Sequence, residues 1–405
     1  MGQQLKSSPF NLAVIAAGLG FFVDAFDLFL FSIYRIPSLN ELGLSGSELK
    51  TQGELLLSIQ MAGMMVGGIL TGIIGDKRGR VAVLFGSILL YSAANIANAY
   101  VTDTTSYAVI RFLAGVGLAG ELGAGITLVS ETMTIERRGY GTILVATMGA
   151  LGAVSAGLAG DLLYWRDAFL YSGIAGLLLL LLRMKSLESK MFARAAAENR
   201  SRSGSFLHLF SNKKRILRYM GCIMMGVPIW FSVGLLITLS PELATEGGID
   251  GWRLTAAFTL FQIGIATGDL SSGVTSQLAR TRKRTILLFM CIAIIATIWL
   301  FHGFANGHLS VWVCLLMGFG CGYLSVFVTT IAEHFGTNLR VLVTSTVTNF
   351  MRGSVTIMIP FHLFLENYMS LWWSLVVTGV LVWVLAIIST ISLKETYGRD
   401  LDFTE

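Results

Sequence analysis

Residues 75–80 read GDKRGR and decide how the chain is to be interpreted. This short cationic segment lies between two apolar runs, at about 53–75 and 81–101, each with the ~20 residues that a helix needs to cross a bilayer. A charged connection of this length marks a point where the chain turns back at a membrane surface. The stretch therefore predicts a loop between two transmembrane helices.

The composition of the whole chain also indicates a membrane protein. The 405 residues are 54% hydrophobic and 13% charged, with a mean hydropathy of +0.71, whereas soluble domains are about 25% charged. The sequence predicts an all-α membrane protein in a lipid bilayer, with twelve transmembrane helices. By the same length criterion of about 20 residues, the runs fall at about 10–35, 53–75, 81–101, 106–131, 138–161, 167–183, 215–240, 252–279, 284–304, 309–334, 341–365 and 369–392.

The distribution of basic residues predicts the orientation of the chain. Most of the 29 Lys and Arg residues fall in alternate connections, beginning with the N-terminal segment and the 75–80 loop. Lys and Arg accumulate on the cytoplasmic side of membrane proteins, so we expect cytoplasmic termini and a multi-pass protein of the inner (plasma) membrane. The predicted outer connections hold only Arg35, Lys50, Arg166 and Arg253. The net charge of +5 therefore reflects topology, and no nucleic acid partner is expected.

One long polar connection, residues 184–214, divides the chain into an N-terminal half, 1–183, and a C-terminal half, 215–405. We interpret it as a basic cytoplasmic linker, with an amphipathic helix on the inner leaflet as a feature of its first part. A regulatory site in this segment is the alternative interpretation.

The two halves repeat each other. Glu131 and Arg138 border one connection, and Glu333 and Arg340 recur 202 residues later with the same spacing. The glycine pairs at 115 and 117 and at 318 and 320 lie at nearly the same offset. We therefore predict two pseudo-symmetric six-helix bundles, with a substrate site between them, as in transporters built from repeats.

Four segments resemble the motifs of one family. Residues 72–80 fit the pattern G-x-x-x-D-[RK]-x-G-[RK], residues 111–117 read RFLAGVG, and residues 394–401 read KETYGRDL. Residues 22–28, FVDAFDL, have the aspartate spacing of a first span in proton symporters. Together they resemble the major facilitator superfamily, in particular its metabolite, phosphate and aromatic-acid proton symporters. The segment 276–284 departs from the loop motif, since it lacks the aspartate and the glycines.

The charged loop is interpreted as a gate on the cytoplasmic side. Asp76 suits the positive N-terminus of a neighbouring helix, and Arg78 and Arg80 suit carboxylates such as Glu131. Such contacts would hold the cytoplasmic side closed while the cavity opens outward. The predicted gating residues are Gly72, Asp76, Arg78, Gly79, Arg80, Glu131, Arg138, Glu333 and Arg340.

Charged residues inside the predicted spans are candidates for proton coupling, because a charge at the bilayer centre costs at least ~2.5–3.5 kcal/mol. Asp24 and Asp27 share a helix face, at a depth where one of them can pair with Arg111. We favour Asp27 as the proton site and Arg111 as its modulator, with a fixed salt bridge as the structural alternative. Glu121 is a further candidate, and a buried protonated carboxyl group bonded to a neighbouring helix is its alternative.

Arg352 is the principal candidate for contact with substrate. A guanidinium binds carboxylate or phosphate through two parallel hydrogen bonds, so Arg352 points to an anionic or zwitterionic substrate; a pair with Asp269 is the alternative. Further polar and aromatic candidates are Gln60, Trp230, Gln262, Tyr323 and Asn349. For each of these, interhelical hydrogen bonding or packing is the alternative.

The sequence predicts a secondary active transporter that imports a small polar metabolite together with protons by alternating access. An exporter or proton antiporter is the alternative within transport. A membrane enzyme fits less well because no nucleophile or catalytic cluster is evident, and a channel would not need duplicated gates. The four cysteines lie in apolar runs without metal-ligand spacing, so neither a cofactor nor a metal is expected. We expect a monomer.

Overall fold

A computed structural model of the chain describes residues 12–78, 80–120, 138–187, 209 and 212–398. These residues form helices, with no strand among them. The helices of the first half are α1 (Leu12–Glu41), α2 (Gly46–Arg78), α3 (Arg80–Asn98), α4 (Thr104–Leu118), α5 (Arg138–Leu162) and α6 (Trp165–Leu187). Those of the second half are α7 (Lys213–Phe231) with a π-helical segment (Ser232–Ile237), α8 (Ser240–Glu246), α9 (Leu254–Leu278), α10 (Lys283–Ala305), α11 (Trp312–Cys321), α12 (Leu324–His334), α13 (Thr337–Gly353), α14 (Val355–Glu366) and α15 (Leu371–Ser392).

The described helices combine into twelve rods, as the apolar runs predict. Eight of them are long and apolar enough to cross a membrane. These are α1, α2, α5, α6, α10, α15, α7 with its π-helical segment, and α11 with α12. The shorter α3 and α4, the 25-residue α9, and the rod of α13 with α14 complete the set. The all-α membrane fold is therefore confirmed.

The glycine pairs mark equivalent close contacts in the two halves. A Cβ atom on Gly115 of α4 would lie 2.0 Å from the carbonyl oxygen of Gln60 in α2. A Cβ atom on Gly318 of α11 would lie 2.0 Å from the carbonyl oxygen of Phe261 in α9. Only glycine allows backbones to approach this closely, so the repeat seen in the sequence corresponds to a repeated helix–helix contact.

The packing of the helices follows the same repeat. In the first half, α2 and α3 pack against α4, and α1 packs against α5. In the second half, α9 and α10 pack against α11, and α7 packs against α13. Two equivalent contacts join the halves: α2 with α13 and α14, and α5 with α9. The predicted linker, 184–214, lies mostly outside the described residues, so the bundle boundaries stay a prediction.

Three rods of the second half are interrupted. The seventh changes from α-helix to π-helix at Ser232, four residues after Pro228. The tenth breaks between Cys321 and Leu324, and the eleventh at Ser354. Kinks and π-helical turns have local causes and often occur near functional sites, and the seventh and eleventh rods contact the first half.

Candidate functional site

Arg111 in α4 is fully buried in the first bundle. Its Nη2 donates to Asn95 Oδ1 at 2.9 Å and its Nε to Asn98 Oδ1 at 3.1 Å, while its Cζ lies 4.6 Å from the centre of the Phe169 ring. Asp27 of α1 acts on Arg111 electrostatically but does not reach the 4.0 Å of an ion pair. The expected direct pair is thus replaced by amide hydrogen bonds, which satisfy donors without neutralising the charge.

Asp27 itself is 1% exposed, and neither of its carboxylate oxygens has a hydrogen-bond partner. Arg111 acts on it electrostatically, and so does the side-chain amide of Asn95, which also binds Arg111. A buried polar group without a bond is costly. Asp27 is therefore a buried carboxyl group close to the Arg111 cation and the Asn95 amide.

Arg352, near the end of α13, faces the other aspartate of the first span. It interacts electrostatically with Asp24 of α1, which is buried. Its Cζ lies 5.9 Å from the centre of the Trp230 ring, and its Nε has no hydrogen-bond partner. The two aspartates that share a helix face thus interact with different arginines, and the interaction of Asp24 with Arg352 crosses the interface between the bundles.

Asp269 does not pair with Arg352. It accepts a hydrogen bond from the backbone N–H of Ser325 at 2.6 Å and another from the hydroxyl group of Ser325. These bonds satisfy backbone donors at the start of α12, where a helix has free N–H groups. The alternative pairing with Arg352 is therefore wrong, and Asp269 stabilises the break in the tenth rod.

An aromatic cluster crosses the interface next to Arg352. Trp230 of α7 stacks on Phe29 of α1 with ring centres 5.9 Å apart. Phe29 also makes an edge contact with Phe258 of α9, at 5.0 Å. Trp230 therefore contacts a ring of the first bundle and lies close to a guanidinium of the second.

The remaining predicted contact residues divide into two kinds. Asn349 joins the bundles, because its Nδ2 donates to the carbonyl oxygen of Ala119 at 3.1 Å. Gln60 and Gln262 are buried and each keeps one amide atom without a partner. Tyr323 lies at the break in the tenth rod and donates its hydroxyl hydrogen to the carbonyl oxygen of Met225 at 3.0 Å, which favours its packing alternative.

Much of the predicted first-half gate lies outside the described part of the chain. Gly79 and Glu131 are outside it, as are the side chains of Asp76, Arg78, Arg80 and Arg138; the proton-coupling candidate Glu121 also lies outside the described residues. Gly72 is described and approaches the second bundle: a Cβ atom there would lie 3.7 Å from the Leu342 side chain. The gate assignments in the first half therefore stay predictions.

The second half shows the kind of contact that was predicted for the first. Arg282 Nη2 lies 3.0 Å from Glu333 Oε1, and these two residues follow Arg80 and Glu131 by 202 positions. The hydroxyl of Thr396 also donates to Glu333, at 2.7 Å. The segment at 276–284 lacks the motif's aspartate and glycines, yet it keeps an arginine–glutamate contact. Arg340 Nε donates to the carbonyl oxygen of Ala332 at 2.9 Å.

Glu395 fixes the C-terminal segment to this contact. Its carboxylate accepts hydrogen bonds from the backbone N–H groups of Arg282 at 2.9 Å and Lys283 at 3.2 Å, and from the Thr281 hydroxyl. Partial burial raises the pKa of Glu395, but the bond from Thr281 and the backbone N–H bonds outweigh it and lower the pKa to about 2. The segment after α15 thus closes the connection between α9 and α10.

Sequence reasoning missed a set of ionic contacts between the bundles at the predicted outer end. Arg35 binds Glu242 and the carbonyl oxygen of Thr238, the latter at 3.0 Å. The other two contacts pair Lys50 with Glu366 and Arg253 with Asp161. The one available signal was that Arg35, Lys50 and Arg253 are exceptions to the concentration of basic residues on the other side.

Two helical bundles related by an internal repeat, with ionic groups on the surface between them, define a membrane transporter. The chain belongs to the Major Facilitator Superfamily: the model of that family matches residues 17–360. It is therefore a multi-pass membrane protein whose family consists of transporters, which excludes the enzyme alternative.

Curated relatives have transport functions in their names. A niacin transporter of Acinetobacter baylyi is 28% identical over 192 residues, which cover 46% of this chain and 43% of that protein. A 3-(3-hydroxy-phenyl)propionate transporter of Escherichia coli is 28% identical over 247 residues, 59% of each protein. A putative niacin/nicotinamide transporter of Bacillus subtilis is 29% identical over 276 residues, which cover 65% of this chain and 66% of that protein. The chain thus matches between 43% and 66% of the length of these three relatives. The crystal structure of a D-xylose–proton symporter, 16% identical, matches with a TM-score of 0.71 over 96% of this chain and 99% of that one, which supports the fold.

Proposed function

We propose that this protein is a secondary active transporter of the inner membrane, with cytoplasmic termini, that imports an aromatic carboxylate together with protons. The observation that carries this proposal is the group of Arg352, Trp230 and Asp24, which joins a cation, an aromatic face and a carboxylate on the interface between the bundles. Alternating access then consists of rocking the bundles about that interface.

The chemistry of the group favours a flat organic anion. Arg352 offers a guanidinium that binds a carboxylate in bidentate fashion, and its Nε has no partner to give up. Trp230 offers an indole face, against which an aromatic ring packs favourably. The names of two relatives specify niacin and 3-(3-hydroxy-phenyl)propionate, each of which joins a carboxylate to an aromatic ring.

Substrate and Asp24 would compete for the same arginine. When a substrate carboxylate binds Arg352, its negative charge takes over part of the role of Asp24. The guanidinium of Arg352 therefore keeps a negative partner throughout the exchange. Binding therefore weakens the contact of Asp24 of α1 with the second bundle. This exchange couples occupation of the site to the relative position of the bundles.

Asp27 is the proposed proton site, with Arg111 as its modulator. Its two oxygens have no hydrogen-bond partner, and Arg111 acts on it from a position fixed by two asparagines. A buried carboxyl group of this kind in a transporter suits proton loading and release. Glu121 remains a second candidate carboxyl group from the sequence.

The proposed substrate class is tested by ligand binding to the purified full-length protein. Nicotinate and nicotinamide share a ring and differ in charge, so both are titrated while the thermal unfolding midpoint is recorded. We expect nicotinate or another aromatic carboxylate to raise the midpoint in a saturable way, and the uncharged amide to have no effect at the same concentration. Equal effects of acid and amide, or a response to sugars alone, would contradict the proposal.

A further inference from the structure

A second cluster of charged residues lies on the interface, at its predicted outer end. It consists of Glu54 on α2 and of His362 and Glu366 on α14. Because His362 follows Arg352 by ten residues, the cluster lies about 15 Å further along the eleventh rod. Glu54 Oε2 is 3.6 Å and Glu366 Oε1 is 3.8 Å from His362 Nε2. The proposed transport site makes no use of these residues.

Hydrogen bonds fix which nitrogen of His362 faces the carboxylates. The Oγ of Ser374 lies 2.8 Å from His362 Nδ1, and the Ser374 hydroxyl donates to the carbonyl oxygen of Leu371, also at 2.8 Å. Since that hydroxyl hydrogen is used, Ser374 accepts from Nδ1–H. The lone pair of the imidazole is then on Nε2, which points at Glu54 and Glu366.

The cluster brings Glu54 together with the lone pair of His362 without a donor between them, while its third member, Glu366, is bonded to Lys50. Glu54 is 2% exposed and His362 is 0% exposed. Neither oxygen of Glu54 has a hydrogen-bond partner, and neither does His362 Nε2. Lys50 and Arg35 are the cations that act on Glu54 electrostatically; Lys50 is bonded to Glu366 of the cluster, and Arg35 is bonded to Glu242 outside it. Buried polar atoms are normally satisfied, so the unpartnered oxygens of Glu54 and the Nε2 of His362 call for a further cation, which would share Glu366 with Lys50.

We propose that Glu54, His362 and Glu366 form a binding site for a divalent metal ion of the zinc type. Zn²⁺ takes one imidazole nitrogen at about 2.0–2.1 Å and carboxylate oxygens at about 2.0–2.2 Å, so its tetrahedral ligands lie about 3.4 Å apart. The three ligand atoms here lie within 4.8 Å of one another, with two separations of 3.6 and 3.8 Å.

The choice of metal and the support around it follow from the ligand types. A mixed nitrogen and oxygen set suits Zn²⁺ and its first-row neighbours better than Mg²⁺ or Ca²⁺, which prefer oxygen alone. The bond from His362 Nδ1 to Ser374 is the kind of supporting contact that orients a metal-binding histidine. Three protein ligands leave a fourth position for water.

The ligands come from both bundles, so a bound metal would link the bundles to each other. Glu54 belongs to the first bundle, whereas His362 and Glu366 belong to the second. Separation of the bundles at the outer end breaks the site, and a ligand that binds one conformation stabilises that conformation. Bound metal therefore holds the outer end closed. This consequence rests on the proposed transport function, whereas metal binding itself does not.

The site is tested with metal alone, on the full-length protein purified without a polyhistidine tag. Zn²⁺ binding is measured by calorimetry, and Co²⁺ is used as a probe because its visible absorption reports coordination by protein ligands. We expect one ion per chain, and at least tenfold weaker binding in His362→Gln, Glu54→Gln and Glu366→Gln. The matched control is His308→Gln, an exposed histidine in the connection after α10, which should bind as the wild type does.

Three results would overturn the site. One is equal affinity of the wild type and His362→Gln for Zn²⁺; another is absence of a protein-bound Co²⁺ spectrum in the wild type, which needs no variant to fold. The third is that the thermal midpoint responds to pH through this cluster but not to Zn²⁺, which would show that a proton occupies the position. If metal binds as expected and no substrate is found, the proposed transport function fails and the metal site stands.

Discussion

At the scale of single residues, Arg111 inside the first bundle and Arg352 at the interface differ in their partners. Arg111 is held by the amide oxygens of Asn95 and Asn98 within one bundle. Arg352 faces Asp24 across the interface and lies against Trp230. The first arrangement fixes a charge in place, whereas the second leaves a charge that a substrate anion can reach. This difference is why Arg352 is assigned to the substrate and Arg111 to the proton site.

Replacement of Arg352 should weaken substrate binding. Arg352→Gln removes the charge and one half of the bidentate pair, so we expect at least a tenfold loss of affinity for an aromatic carboxylate, measured by calorimetry or thermal shift. Arg352→Lys should restore part of it, because an ammonium supplies charge without the paired geometry. Arg284→Gln, a change at an exposed arginine of α10, is the control. Unchanged affinity in Arg352→Gln would remove this residue from the site.

At the scale of helices and connections, the repeat gives equivalent contacts with equivalent residues. Gly115 and Gly318 each allow a backbone carbonyl group of the neighbouring helix to approach. The contact of Arg282 with Glu333 reproduces in the second half what the sequence predicted for Arg80 and Glu131 in the first. The C-terminal segment adds Glu395 and Thr396 to that contact, so the connection between α9 and α10 is held by both charge and backbone hydrogen bonds.

A methyl group at the repeated close contact should destabilise the fold. In Gly318→Ala the added Cβ atom would lie 2.0 Å from the carbonyl oxygen of Phe261, so α9 and α11 must move apart, at a cost of about 1–3 kcal/mol or more. Gly86→Ala in α3 meets nothing within 4 Å and should stabilise its helix by up to about 1 kcal/mol. Thermal midpoints of the purified variants should therefore move in opposite directions. A Gly318→Ala protein as stable as the wild type would contradict the described contact.

The contacts of Glu395 predict a dependence of stability on pH. Its pKa falls from 4.5 to about 2 on folding, so the ionised form stabilises the folded state above pH 4.5, and this contribution is lost as the pH falls toward 2. Glu395→Gln should lower the thermal midpoint at pH 7, and its difference from the wild type should shrink between pH 4.5 and 2. Glu246→Gln, at an exposed glutamate of α8, is the control. A difference that does not change with pH would contradict the role of the carboxylate.

The particular residues show how far the sequence can predict this molecule. The length of the apolar runs predicts the helices, and the spacing of the glycines predicts their repeat, because both signals are contained in short stretches of sequence. Partner choice is different: Lys50 and Glu366 are 316 residues apart, and nothing in either local sequence indicates the other. The same holds for Asp24 and Arg352: the sequence placed one of the two aspartates near Arg111 but gave no sign that the other faces an arginine of the second half.

At the scale of the whole molecule, the contacts between bundles are of two kinds. The helix contacts of α2 with α13 and α14, and of α5 with α9, are related by the internal repeat and run along the interface. The ionic contacts of Arg35, Lys50 and Arg253 are confined to the predicted outer end. The pair of Arg253 with Asp161 is open to water and therefore weak, whereas Arg35 is fully buried in its pair with Glu242, which costs more to break. In the proposed rocking motion these pairs break and form, and the repeated helix contacts are the pivot.

The central claim is that a proton gradient drives substrate uptake and that Asp27 carries the proton. The test measures uptake of a labelled aromatic carboxylate into proteoliposomes with an imposed pH gradient. Nicotinate is the first substrate to use. We predict that the wild type accumulates substrate above its equilibrium level only while the gradient lasts. The Asp27→Asn variant should still exchange labelled for unlabelled substrate across the membrane but should not accumulate it. Accumulation that ignores the gradient, or that is as great in Asp27→Asn as in the wild type, would contradict the account.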